Sequence, residues 1–160
     1  MKDKIKEFLL NLFFPRFCLG CKKEGIYLCD DCKATLGTLE YQYCLCNKNP
    51  VRLSRAGKCK RCHHKTLSGL YFALSYQESS LTKKLIHYFK YPPYIKELGI
   101  TFSSLIIEHF LLSGKDPKKI FKNGLLIPVP ITKKELKKRG FNQAEEIAQD
   151  LSKILKISLS

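Results

Sequence analysis

The sequence predicts a chain in two parts: a cysteine-built metal module over residues 15–66, then an α/β domain from residue 69 onward. Three observations predict it. Eight cysteines lie as four close pairs within the first 62 residues, and the remaining 98 contain none. Beyond residue 69 the apolar residues fall into helical and strand-like runs. Hydrophobic residues make up 44% of the 160 and charged residues 27%, a balance that excludes wholesale disorder and an integral membrane protein as starting points. Lys and Arg number 29 against 14 acidic residues, a formal charge of +15 that points to a polyanionic partner.

The first 14 residues read as an amphipathic helix. Ile5, Phe8, Leu9, Leu12 and Phe13 recur at helical spacing, with Lys2, Asp3, Lys6 and Glu7 on the other side. The apolar run is short, is broken by Asn11 and meets Pro15 and Arg16 with no small-residue cleavage site, so it does not read as a secretory signal. No stretch approaches 18 consecutive apolar residues, so no spanning helix is expected. The helix face suits packing on the chain's own core or on a partner, or attachment to an anionic membrane surface.

The metal module follows. The pairs are Cys18 and Cys21, Cys29 and Cys32, Cys44 and Cys46, Cys59 and Cys62. A Cys-x-x-Cys turn aims two sulfurs at a point about 2.3 Å away, the Zn–S distance of a tetrahedral site, and two such turns complete a four-cysteine set. Eight ligands therefore imply two Zn²⁺ ions. Short Cys-x-x-Cys loops seldom close as disulfides, so the chain reads as a cytoplasmic zinc protein, not a secreted disulfide scaffold. The segment PRFCLGC forms a knuckle, KKEGIYL a short hairpin, and CDDC opens a short helix limited by Gly37. Spacing leaves sequential and interleaved ligand pairing both open. Cys44-x-Cys46 is one residue short of a usual knuckle, so His63 or His64 is an alternative ligand beside Cys62. Arg52, Arg55, Lys58, Lys60 and Arg61 form a basic stripe around the second set, with Tyr41 and Tyr43 as aromatic faces. The stripe reads either as a nucleic-acid contact or as solubilising charge on a structural clip.

In the second part, GLYFALSY reads as a strand. Ser79 and Ser80 open a helix carrying Leu81, Leu85, Ile86 and Phe89, which ends before Pro92-Pro93. A helix over about Tyr94 to Leu112 follows, with His109 expected on the surface near its end. The segment SGKDPKKIFKNG is a basic connection, and LLIPVP a buried strand closed by proline. Thr132 with Glu135 forms a capping-box pattern, Gly140 a stop, and Asn142 the cap of a last helix that buries Ala144, Ile147, Ala148, Leu151, Ile154 and Leu155. Lys133, Lys134, Lys137, Lys138 and Arg139 stand just before that helix N-terminus, where backbone N–H groups and the helix dipole favour an anion. Either a phosphate site or a solvated basic loop satisfies this pattern.

The LLNLFFPRFCLGC start, the four cysteine pairs, the LIHYFKY helix end and above all LIPVPITKKELKKRGFNQAEEIAQDL resemble the ComF family, and the resemblance spans essentially the whole chain. It implies a small four-cysteine double zinc ribbon over 15–66 followed, over 69–160, by the N-terminal part of a phosphoribosyltransferase-type α/β domain. It also implies a role in DNA uptake during natural competence, with single-stranded DNA or other nucleic acid and a ComFA-like helicase as expected partners. By the same match Lys138, Arg139, Gly140, Asn142 and Gln143 are expected to face phosphate or pyrophosphate. The family pattern continues to a strand ending in two acids and a Thr-Thr-Gly loop, with Mg²⁺ and phosphoribosyl pyrophosphate bound in an active full-length form. Here the adjacent acid pairs are Asp30-Asp31 in a knuckle and Glu145-Glu146 in a helix, and neither precedes a phosphate-cradling turn. KISLS reads as entry into a further strand. The expectation is a truncated, split or fragmentary form without transferase turnover of its own.

Overall fold

The computed structural model describes residues 15–37, 42–44, 46, 51–53, 59, 60, 62, 71–76 and 79–160. The helix expected over 1–14 and the histidine alternatives His63 and His64 lie outside the described residues.

Ten short elements are described. They are α1 (Asp30–Ala34), β1 (Gln42–Cys44), β2 (Val51–Leu53), α2 (Ser80–Lys90), α3 (Leu98–Leu112), α4 (Pro117–Ile120), β3 (Leu125–Leu126), α5 (Lys133–Arg139), α6 (Gln143–Leu155) and β4 (Ser158–Leu159). β1 and β2 form an antiparallel hairpin, and β3 and β4 pair in parallel. Parallel strands need a long crossover, which α5 and α6 supply, so β3-α5-α6-β4 is one β–helix–β unit. The KISLS segment thus enters a strand, as its sequence implies.

Local chemistry sets the helix boundaries. The Ser79 hydroxyl accepts from the Thr82 N–H at the start of α2, Thr132 accepts from Glu135 at the start of α5, and Asn142 accepts from Ala144 at the start of α6. Gly140 ends α5 with φ 81°, a left-handed position that costs glycine little. Tyr94 also has positive φ (57°) while Ile95 N–H returns to the Tyr88 carbonyl at 2.8 Å. The chain is therefore still turning at Tyr94, and α3 begins four residues later than the apolar pattern suggests.

α3 and α6 pack closely because small residues line their contact. A Cβ placed on Gly99 would lie 3.1 Å from the Glu146 Cβ, and the buried Ser103 hydroxyl donates to the carbonyls of Gly99 (2.9 Å) and Ile147 (3.2 Å). Lys96 and Glu146 form an ion pair at 3.1 Å beside this contact.

One core spans both parts of the chain. Leu19, Leu28 and Leu36 of the first cysteine module are buried in the same cluster as Leu85, Phe89, Leu98, Leu105 and Phe141. Each fully buried Leu or Phe contributes about 1.5–3 kcal/mol, so this junction is part of the domain's main stabilising term. Lys33 of α1 adds an ion pair to Glu108 of α3 at 2.8 Å. With both side chains partly exposed, that pair contributes about 0–1 kcal/mol.

Four expectations are corrected. Residues 71–76 of GLYFALSY form no strand. Tyr71 instead stacks near Phe110 (4.8 Å between centroids) and Phe121 (6.0 Å), while Ala73 is buried in the core, so this aromatic run packs and does not pair. LLIPVP is not a buried strand: pairing stops after Leu126, since Pro128 and Pro130 lack N–H donors, and Ile127 and Val129 are 72% and 73% exposed. His109 is not a surface residue. It is 1% exposed, with its ring 5.5 Å from the Phe110 ring on the packed last turns of α3. Within α6, Ala148, Leu151 and Leu155 are buried as expected, but Ile154 is exposed.

Candidate metal centres and the groove at the turn into α6

The first cluster forms from local backbone. The Cys18 N–H bonds the Lys23 carbonyl at 2.8 Å and Lys22, at φ 70°, returns its N–H to the Cys18 carbonyl, which closes the knuckle. An isolated antiparallel bridge, Phe17 to Glu24, closes the turn around this knuckle, so the pairing lies across the knuckle and not within KKEGIYL. Cys29 caps α1, which carries Cys32 one turn later. Gly20 is required here: a Cβ at this position would sit 2.5 Å from the Cys32 sulfur. The second cluster uses Cys44 at the end of β1, Cys46 just beyond it, and the Cys59–Cys62 turn closed by a 2.9 Å N–H···O bond.

These folds converge the sulfurs sequentially. Cys18, Cys21, Cys29 and Cys32 have all four sulfurs within 4.8 Å of one another, and so do Cys44, Cys46, Cys59 and Cys62. That arrangement decides between the two pairings left open by spacing. Sulfurs at the corners of a zinc tetrahedron stand about 3.8 Å apart. Separations of 3.5 and 3.6 Å occur in the first cluster and of 3.0 and 3.4 Å in the second, contracted versions of that frame. In each cluster a backbone N–H also points at a sulfur: Cys29 N–H at Cys18 Sγ, and Cys59 N–H at Cys44 Sγ, both at 3.4 Å. Such donors stabilise thiolate charge. The donor set fits Zn²⁺ at both places. Four cysteines close the tetrahedron and leave no position for a substrate water, which is the pattern of a structural ion.

Electrostatics gives the same reading. Burial pushes the Cys18 thiol up, but backbone N–H groups of Cys29, Cys21 and Gly20 outweigh it and bring it down to about 6. Burial and the neighbouring Cys21, Cys29 and Cys18 thiols push Cys32 up to about 12. Cys29 is drawn down by the Cys32 N–H yet ends raised, through burial and the Cys21 and Cys18 thiols. In the second cluster the Cys59 and Cys62 thiols, with burial, push Cys46 up to about 12. Cys62 is drawn down by Cys46 but ends raised by burial and by Cys44 and Cys59. Without a cation, four converging sulfurs cannot all ionise; a divalent ion is what lets them.

Of the basic stripe, Lys60 is described and exposed. The hairpin register pairs Tyr43 with Arg52. Tyr41, Arg55, Lys58 and Arg61 lie outside the described residues.

The residues expected to face phosphate are brought together in a different way. Arg139 is held by Glu135 at 2.6 Å and donates to the Gln143 side-chain carbonyl at 3.0 Å. Gln143 in turn donates to the Phe89 carbonyl at 3.1 Å, and Asn142 donates to the Val129 carbonyl at 3.1 Å while capping α6. RGFNQ therefore works as a latch tying α2, the extended segment after β3, α5 and α6. Lys138 is exposed on α5, and Gly140 supplies the turn. Beside the latch lies a groove of about 440 Å³, floored by Ile86, Phe89, Phe102 and Ile147. Sequence reading did not find the latch or the groove. The paired amides Asn142 and Gln143 directly after a glycine turn were the available signal for the first, and the groove had none, since its walls come from four distant segments.

Among the described residues no helix is long and apolar enough to cross a membrane. Compared with family models, with curated proteins and with solved structures, the chain gives no match.

Proposed function

We propose that this chain is a ComF-type protein of DNA uptake or DNA handling. In this reading both four-cysteine clusters hold zinc, and the second meets nucleic acid or a ComFA-like helicase. The helical part is of phosphoribosyltransferase type, and these 160 residues, which hold no acid-acid-Thr-Thr-Gly loop, do not turn over by themselves. The observation that carries the reading is the asymmetry of the clusters. The first is packed into the helical core. The second contributes no residue to that core among the described residues and lies in the segment 41–62, whose sequence holds three Arg, three Lys and two Tyr. The β3-α5-α6-β4 crossover and the RGFNQ sequence support the phosphoribosyltransferase-type assignment of the second part. A stand-alone zinc-ribbon binder is the other reading, and the shared core weighs against it.

The test is binding of a labelled single-stranded DNA oligonucleotide to the zinc-loaded full chain across a salt series. We expect an affinity that falls linearly in log–log form with salt, as counterion release requires. Absence of binding at low salt would remove the nucleic-acid half of the proposal. Phosphoribosyl transfer by the same purified chain would overturn the non-catalytic half.

A further inference from the structure

We propose that the groove beside the RGFNQ latch binds a small amphiphilic monoanion, an apolar body with a single carboxylate or sulfonate head. This inference is independent of the zinc-module reading. At about 440 Å³ the groove falls in the roughly 300–1,000 Å³ range of small-molecule sites, with the expected mixture of apolar walls and few polar groups. Its floor is aromatic and aliphatic, with the Phe89 and Phe102 rings 5.1 Å apart, and Val129 and Ile131 form one side.

The charge available to a ligand there is about one unit. Two cations border the groove, Lys90 and Arg139. Arg139 already faces the Glu135 carboxylate. Lys90, at the end of α2, is exposed and forms no ion pair among the described residues. The positive end of α6 is likewise answered from within: the Asn142 side chain takes the Ala144 N–H, and Glu145 and Glu146 occupy the first turn. Both amide side chains at the rim are committed, Asn142 to Ala144 and Val129, Gln143 to Arg139 and Phe89. Pyrophosphate would bring several charges and a full hydration shell against an apolar wall with one uncommitted cation, and desolvating it there is unfavourable. An apolar body loses nothing polar on the floor, and one anionic head matches Lys90.

The experiment uses the full zinc-loaded chain with 1-anilinonaphthalene-8-sulfonate as a fluorescent probe. We expect one probe per chain with a dissociation constant of order micromolar, displaced by 1-naphthoate but not by inorganic pyrophosphate at equal concentration. Lys90→Glu should weaken the probe about tenfold through like-charge repulsion, and Ala144→Phe should abolish binding by filling the groove, with zinc content unchanged in both. Displacement by pyrophosphate would overturn the monoanion assignment. Probe binding unchanged in Lys90→Glu would overturn the site, assigning the signal to the exposed aliphatic residues at 125 and 127, outside the groove. Because Lys90 is exposed, that variant decides the matter even where Ala144→Phe fails to fold.

Discussion

The two cysteine clusters have the same ligand number and opposite relations to the rest of the chain. The first is continuous with the helices: Leu19, Leu28 and Leu36, between and beside its ligands, share a core with α2 and α3, and Lys33 on its helix pairs with Glu108. The second closes on a hairpin and turn of its own. A metal in the first holds together a structure larger than itself. The second, among the described residues, adds nothing to that core. Equal chemistry thus stands in two surroundings, and the difference lies in the apolar residues around the sulfurs.

Removing one ligand from each cluster tests this most severely. Structural zinc contributes roughly 10–16 kcal/mol of apparent binding free energy, comparable with or above the roughly 5–15 kcal/mol that holds a domain folded. Cys29→Ser should therefore lose one zinc and the cooperative thermal unfolding of the helical part. Cys46→Ser should lose one zinc and keep that transition. Zinc quantitation with far-UV circular dichroism melts of both variants reads the contrast, and equal melting behaviour would break it.

Acidification sharpens the comparison. Cys18 titrates near 6, below its unfolded value of 9.0, so its thiolate contribution is full above about pH 9 and is lost as pH falls through about 6. Cys32, raised to about 12, contributes in the opposite sense: in the metal-free protein its stabilisation is full below 9 and is lost as pH rises toward 12. Zinc must displace protons from Cys29 and Cys32 in the first cluster and from Cys46 and Cys62 in the second. Between pH 6 and 9, each proton that zinc displaces means about a tenfold gain in affinity per pH unit. The first cluster has a thiolate ready at Cys18, so the second should release zinc first as pH is lowered. Chelator competition across that range, in wild type and in Cys46→Ser, shows the order.

Much of this contrast was legible in the sequence, and part was not. Cysteine spacing located both clusters because ligand geometry is local, and the caps at Ser79, Thr132 and Asn142 were readable for the same reason. The sharing of Leu19, Leu28 and Leu36 with Leu85 and Leu98 was not readable, since it depends on how distant segments dock. His109 misled for the same reason: a polar residue near a helix end looks exposed until the docking of that end is seen, where it is 1% exposed beside the Phe110 ring. RGFNQ carried a motif-level expectation of an anion site, while its side chains are engaged with carbonyls and a carboxylate of the chain itself. Short-range chemistry wrote the clusters and caps; long-range docking decided which cluster became core.

Gly20→Ala probes the first cluster with a smaller perturbation. The added Cβ would fall 2.5 Å from the Cys32 sulfur, with a Leu81 methyl carbon 3.4 Å away, so the sulfur must move. Overpacking of this kind costs about 1–3 kcal/mol. We expect the zinc affinity of the first cluster to fall by about one order of magnitude or more, while the second is unchanged. Competition with a chromophoric chelator resolves the two sites, and a loss shared by both would show that they are coupled after all.

The smallest expected effect bears on the surface the second cluster presents. Lys60 is exposed in the turn between Cys59 and Cys62, and Lys23 is its counterpart in the turn between Cys21 and Cys29. Each side chain removes one charge when changed to alanine, and neither holds the metal. If the second cluster meets the phosphates of single-stranded DNA, Lys60→Ala removes one contact and the slope of log affinity against log salt should shrink by about 0.7, whereas Lys23→Ala should leave the slope alone. Affinity at one salt concentration does not separate these cases, because lowering the net charge weakens any polyanion slightly. The slope separates them, since it counts the counterions displaced at the contact. Equal slopes in the two variants would place the nucleic-acid contact elsewhere on this basic chain and leave the second cluster a structural clip.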